Sequence, residues 1–130
     1  MVEPLVETYG DKTDYVTDIY CIDIDGTLTD PHRGTPWTAV PRYDRIAKVN
    51  QLYDEGATIY LMTARGFIKS QEHDGTIWEQ QGYADEHARV RTEEQLEKWG
   101  VKYHALYFGK PRAVTYVDDR AVNDKEFFGD

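Results

Sequence analysis

The run Asp23-Ile24-Asp25-Gly26-Thr27 sets two carboxylates two residues apart, ahead of a glycine that lets the backbone turn sharply. That geometry suits a hard cation. It is not a calcium loop of the EF-hand type: counted from Asp23, the sixth position is Leu28 instead of glycine and the twelfth is Gly34 instead of glutamate. Three further places carry chemistry. Thr63-Ala64-Arg65 offers a hydroxyl and a guanidinium suited to phosphate, although a threonine there could equally cap a helix and Arg65 could make a surface ion pair. Lys110 stands eight residues before Asp118-Asp119, and two adjacent acids are costly without a cation or hydrogen-bonding partners.

These residues need elements to position them. TDIYCID (17–23) and ATIYLMT (57–63) are apolar, β-rich runs that end abruptly in polar residues, as buried strands entering functional loops do. HALYF (104–108) and AVTYV (113–117) read as two more strands, the latter running straight into Asp118. Between the first two, a helix is expected from Pro41, with Ile46, Val49, Leu52 and Tyr53 on one face and Gly56 as its stop. Thr92 with Gln95 suggests a capping box opening a helix that Gly100 ends. A short helix is expected around Ile77 to Gln81, Arg89 to Arg91 are too polar to assign, and residues 1–16 form an arm or edge strand ahead of a single domain spanning 17–130.

Strands alternating with helices imply right-handed crossovers and a mostly parallel sheet with helices on both faces, a three-layer α/β/α, Rossmann-like fold. Ligands of such sheets sit at the carboxyl ends of the strands. The expected arrangement has the Asp23 strand central, flanked by 57–62 and 113–117, so that Asp23–Thr27, Thr63–Arg65 and Asp118–Arg120 converge in one crevice.

Taken in order over residues 19–120, these motifs resemble the four motifs of the haloacid dehalogenase (HAD) superfamily of phosphatases, with DIDGT fitting the first without departure. The resemblance implies that Asp23 attacks phosphorus to form an aspartyl-phosphate, while Asp25 protonates the leaving oxygen and then activates water. It further implies that Thr63 and Lys110 serve the transferring phosphoryl group, with Gly26, Thr27, Ala64 and Arg65 around the phosphate. Magnesium would be held by the Asp23 carboxylate, the Asp25 carbonyl and a fourth-motif acid, Asp119 directly and Asp118 in support, or the reverse. QLEKWGVKYHALYFGKP and YVDDRAVNDKEFF resemble the small phosphatase-like proteins of capsule and surface-polysaccharide biosynthesis, and the DGT, TAR and DDR segments more loosely resemble the 3′-phosphatase domain of phage polynucleotide kinases.

Composition bounds the rest. With 130 residues there is room for one core, and neither insertion point leaves space for a large cap domain. An open crevice could admit the end of a bulky substrate, or a neighbouring subunit of a homo-oligomer could close it. The formal charge of −9 argues against non-specific nucleic-acid binding. No window approaches a membrane span and no basic-then-apolar leader opens the chain, so a cytoplasmic protein without a membrane partner is expected. Cys21, the single cysteine, is expected to be a small buried hydrophobe. Ser70 lacks the glycine-flanked turn of a serine hydrolase, and His32, His73, His87 and His104 have no zinc-like spacing and read as surface or structural residues. The functional expectation is a magnesium-dependent phosphohydrolase acting on a sugar phosphate or related small metabolite. The competing readings are a nucleic-acid 3′-end phosphatase and a catalytically idle metal-binding or interaction module.

Overall fold

A computed structural model describes residues 18–32, 35–65, 69–71, 77–79 and 88–130. The first 17 residues lie outside it, so the expected arm cannot be placed. Strands β1 (Ile19–Asp23), β2 (Thr58–Thr63) and β5 (Ala105–Phe108) form a parallel sheet in the order β1-β2-β5. Ile19 pairs with Thr58 and Asp23 with Met62, while Leu61 pairs with Leu106 and Thr63 with Phe108. The chain is thus α/β with a small parallel sheet, but among the described residues β2 is central and β1, which carries Asp23, is an edge.

Burial follows the strand period of two. Ile22, Ile59, Leu61, Leu106 and Phe108 point to one face and join a core with Ile46 and Val49 from α1 (Tyr43–Asp54) and Leu96 and Trp99 from α2 (Arg89–Trp99). The opposite face, bearing Cys21, Tyr60, Met62 and Tyr107, is the more exposed one. Cys21 is therefore exposed and not the buried hydrophobe expected, because its place in the alternation turns it away from the helices.

α1 starts two residues after Pro41, which instead makes an antiparallel bridge with Thr29 and ties the loop after β1 to the helix. α2 starts at Arg89, so Thr92 lies inside the helix, fully buried, and does not cap it; the polar Arg89 to Arg91 are helical because neighbouring positions pack on the core. Gly100 does end α2, in the left-handed conformation at φ 73°. The helix expected near Ile77 is a strand: β4 (Ile77–Glu79) pairs antiparallel with β3 (Lys69–Gln71), so pairing overrides the local reading. The remainder of that expected helix, Gln80 and Gln81, falls outside the described residues.

The largest correction concerns 113–117. No strand forms there, Val114 is 104% and Val117 95% exposed, and the segment does not flank β1. The polar groups there are spent locally: the Ala113 N–H donates to the Tyr116 hydroxyl and that hydroxyl donates to the Pro111 carbonyl, closing a turn in place of a ladder. The chain then reaches a short C-terminal helix, α3 (Asp124–Phe128), whose Phe127 ring packs 5.6 Å from Tyr20 of β1. Buried Arg45 of α1 anchors it through Asp124 at 2.7 Å and Asp130 at 2.6 Å, and holds the Thr27 carbonyl at 3.0 Å. No helix of the described residues is long and apolar enough to cross a membrane.

Candidate active site at the carboxyl ends of β1 and β2

β1 ends at Asp23, and the chain turns at once: Thr27 N–H and Leu28 N–H donate to the Ile24 carbonyl at 3.2 and 2.8 Å. Gly26 sits in this turn at φ 80°, a conformation that penalises any side chain with a Cβ, and its N–H donates to Thr29 Oγ1 at 3.0 Å. The turn carries the Thr27 hydroxyl back onto Asp23 Oδ2, at 3.2 Å. On the other oxygen, Lys110 Nζ lies 3.2 Å from Asp23 Oδ1. Lys110 arrives there because its N–H extends the β2–β5 pairing by one bond, to the Thr63 carbonyl at 3.2 Å. Burial pushes the Asp23 carboxyl up from its ordinary range, against the opposing pull of Lys110 and the Thr27 hydroxyl.

Asp25 is held differently. Arg65 reaches it with Nε to Oδ2 at 2.8 Å and with an Nη to Oδ1 at 2.9 Å, and His32 Nε2 approaches Oδ1 at 3.0 Å. Burial disfavours its charge, but the Arg65 bonds and charge, with His32 adding to them, outweigh burial and hold the carboxyl below the ordinary range. Arg65 is itself 3% exposed and also bonds the Gln95 side chain of α2, whose amide donates to the Pro36 carbonyl at 3.1 Å. The Trp37 ring faces Arg65 at 5.4 Å and Arg91 at 4.0 Å.

Thus Asp23, Asp25, Thr27 and Arg65 come together at the strand ends, with Gly26 shaping the turn, and Lys110 joins them on Asp23. Thr63 lies one position past the register partner of Asp23, and its hydroxyl accepts the Arg65 N–H at 3.0 Å in a local turn, which is not the helix cap of its alternative reading. Arg65 makes a buried ion pair and not a surface one. The Ala64 carbonyl accepts from Arg112 at 3.3 Å. His32 and Gln95 are additions that the sequence reading did not place at the site. Seven residues separate Asp25 from His32, and only the loop fold brings the imidazole back.

Asp118 and Asp119 do not join the cluster. Both are exposed, and the Asp118 carboxylate instead accepts the Arg120 N–H at 2.8 Å in a local turn. Among the described residues no three metal-ligating side chains gather. Asp23 has both oxygens engaged by Lys110 and Thr27, and Asp25 is clamped by Arg65, so the oxygen-rich set that magnesium demands is incomplete in this arrangement.

A crystal structure of an MCSG target protein from Vibrio cholerae is 30% identical to this chain, covering 86% of it and 88% of the Vibrio protein, with a TM-score of 0.70. The two proteins belong to one family. The structure of a Pnkp1/Rnl/Hen1 complex matches at 19% identity and a TM-score of 0.50, covering 98% of this chain and 39% of that one, a likeness of fold alone. No protein-family model and no curated protein matches.

Proposed function

We propose that the chain is a phosphohydrolase of the haloacid dehalogenase type, with Asp23 as nucleophile and a small phosphorylated metabolite as substrate. The observation that carries this reading is the contact between Asp23 and Lys110 at the carboxyl ends of adjacent parallel strands, beside a glycine turn that returns the Thr27 hydroxyl to the same carboxylate. Lys110 and Thr27 stabilise the ionised form against burial, which is the form a nucleophile needs. An Asp23 oxygen bonds to phosphorus as the bond from phosphorus to the leaving oxygen breaks, and Lys110 offsets the charge of the transferring group. The leaving oxygen takes up a proton at the Asp25–His32 pair; water then opens the aspartyl-phosphate, surrendering its proton to the same pair. Arg65 favours ionised Asp25, the form that can take a proton from the attacking water. Magnesium would neutralise charge on the transferring phosphoryl group, and the Asp23 carboxylate and the Asp25 carbonyl are the oxygens that would hold it.

Hydrolysis of p-nitrophenyl phosphate, followed with magnesium and with a chelator, tests the reading. Magnesium-dependent release of phosphate that Asp23→Asn abolishes is the expected result, and its absence over a panel of sugar phosphates would leave a binding module. A 3′-phosphorylated oligonucleotide belongs in the same panel, because the DGT, TAR and DDR segments resemble the 3′-phosphatase domain of phage polynucleotide kinases.

A further inference from the structure

We infer that Arg45 is a positioning residue for the nucleophile: it carries the hold of two acids on the C-terminal helix to the Thr27 carbonyl, and so fixes the hydroxyl that Thr27 lays on Asp23. The acids are Asp124, at the start of α3, and Asp130, just past its end. Arg45 is 3% exposed, and every nitrogen of its guanidinium is engaged. Nη1 donates to the Thr27 carbonyl at 3.0 Å and to Asp124 Oδ2 at 2.7 Å, while Nε and Nη2 both reach Asp130 Oδ2, at 3.0 and 2.6 Å. A buried cation facing only a carbonyl would be costly, so the two carboxylates are what allow an arginine here at all. Because the guanidinium is planar and rigid, the acids that orient it also aim Nη1 at Thr27.

The place of α3 is fixed from elsewhere. Its Phe127 ring packs 5.6 Å from Tyr20 of β1, Lys48 donates to the Phe127 carbonyl, and Arg42 reaches Asp130 at 2.7 Å. Arg42, Arg45 and Lys48 recur every third residue at the start of α1, on one side of the helix, so the grip on α3 and the reach to Thr27 come from one surface.

At the loop, Arg45 acts on the peptide that joins Thr27 to Leu28. The N–H of that plane, from Leu28, donates to the Ile24 carbonyl at 2.8 Å, and its C=O accepts from Arg45, so both ends of a planar unit are held. Farther along, the Arg42 N–H on the Leu28 carbonyl and the bridge between Thr29 and Pro41 tie down the next residues, but neither touches the Thr27 carbonyl. The contact this bracing serves is a sensitive one. Thr27 Oγ1 stands 3.2 Å from Asp23 Oδ2. The usual O–H to O distance is about 2.5–3.0 Å, so a shift of roughly a few tenths of an ångström opens the bond. The kinetic consequence rests on the phosphohydrolase reading, whereas the brace rests on the hydrogen bonds alone.

Arg45→Lys separates positioning from mere fastening of α3. An ammonium keeps a positive charge between Asp124 and Asp130, but a single nitrogen cannot repeat the fork that also holds the Thr27 carbonyl. Amide hydrogen exchange followed by NMR needs no turnover: the Leu28 N–H should exchange about tenfold faster than in wild type, with the Phe127 and Gly129 amides of α3 within about twofold. An unchanged Leu28 rate, or faster exchange confined to α3, would overturn the inference. In steady-state hydrolysis of p-nitrophenyl phosphate, Arg45→Lys should lower kcat about 10- to 10²-fold, the scale of a small misplacement, with KM within about twofold. Placed in a Thr27→Val background, where the hydroxyl is already gone, the same substitution should lower kcat less than about twofold further. Fully additive losses would overturn the route through Thr27. A wild type without turnover would remove the phosphohydrolase reading and leave hydrogen exchange to decide the brace. If Arg45→Lys does not fold, Asp130→Asn is read in its place, because it takes the acceptor from Nε and Nη2 at a position 31% exposed, and the same pattern of rates is expected.

Discussion

Arg65 and Asp25, forty residues apart in sequence, meet through two nitrogen–oxygen contacts of 2.8 and 2.9 Å. The guanidinium is almost fully buried and the carboxylate is 28% exposed, so neither group can lose the other without leaving an unpaired charge in poor solvent. Arg65→Met should destabilise the fold by about 2–4 kcal/mol, read from urea unfolding at neutral pH. Arg65→Lys should recover less than half of that, since an ammonium cannot repeat the paired geometry or keep Gln95 bonded at the same time.

The same pair sets a pH dependence of stability. Asp25 has its folded pKa depressed relative to the unfolded chain, where it is about 4. Its contribution is therefore fully present above that value and is lost as pH falls through the folded pKa. Urea midpoints measured from pH 7 down to pH 3 should drop more steeply in wild type than in Asp25→Asn. Parallel curves for the two proteins would show that the clamp contributes nothing.

Asp23 moves the other way. Its pKa is raised, so the ionised nucleophile is lost on acidification at a higher pH than an ordinary carboxylate would be. The acid limb of kcat/KM should have its midpoint above about 4, the usual carboxylate value. Thr27→Val removes one of the bonds that favour the charged form and should shift this limb upward. A limb unmoved by that change would exclude Asp23 as its origin.

Asp23→Asn should abolish turnover with little loss of fold, because the amide is nearly isosteric but cannot form the acyl-phosphate. Asp25→Asn and His32→Gln should each cost about 10²- to 10⁴-fold on alkyl phosphates, whose leaving oxygen needs a proton, and far less on an aryl phosphate. Steady-state kinetics on both substrate types checks this. Equal losses on every substrate would remove the proton-transfer role.

The sequence by itself determined the elements whose signals are local. The apolar runs ending at Asp23 and Thr63 are strands, Gly26 and Gly100 turn where their backbone freedom is needed, and the parallel order that follows puts Asp23, Arg65 and Lys110 at one end of the sheet. Periodicity of two and of 3.6 is a property of neighbouring residues, and so it survives without knowledge of the fold. What only the tertiary structure decided depends on distance through space. Thr92 looked like a cap and is a core residue, because α2 begins a turn earlier to bury Ala88 and Leu96. His32 read as a surface or structural residue, and only the loop fold lays it on Asp25. The segment 113–117 has every local mark of a strand yet has no ladder, since a strand exists only where a neighbour accepts its hydrogen bonds, and here they close a local turn through Pro111, Ala113 and Tyr116.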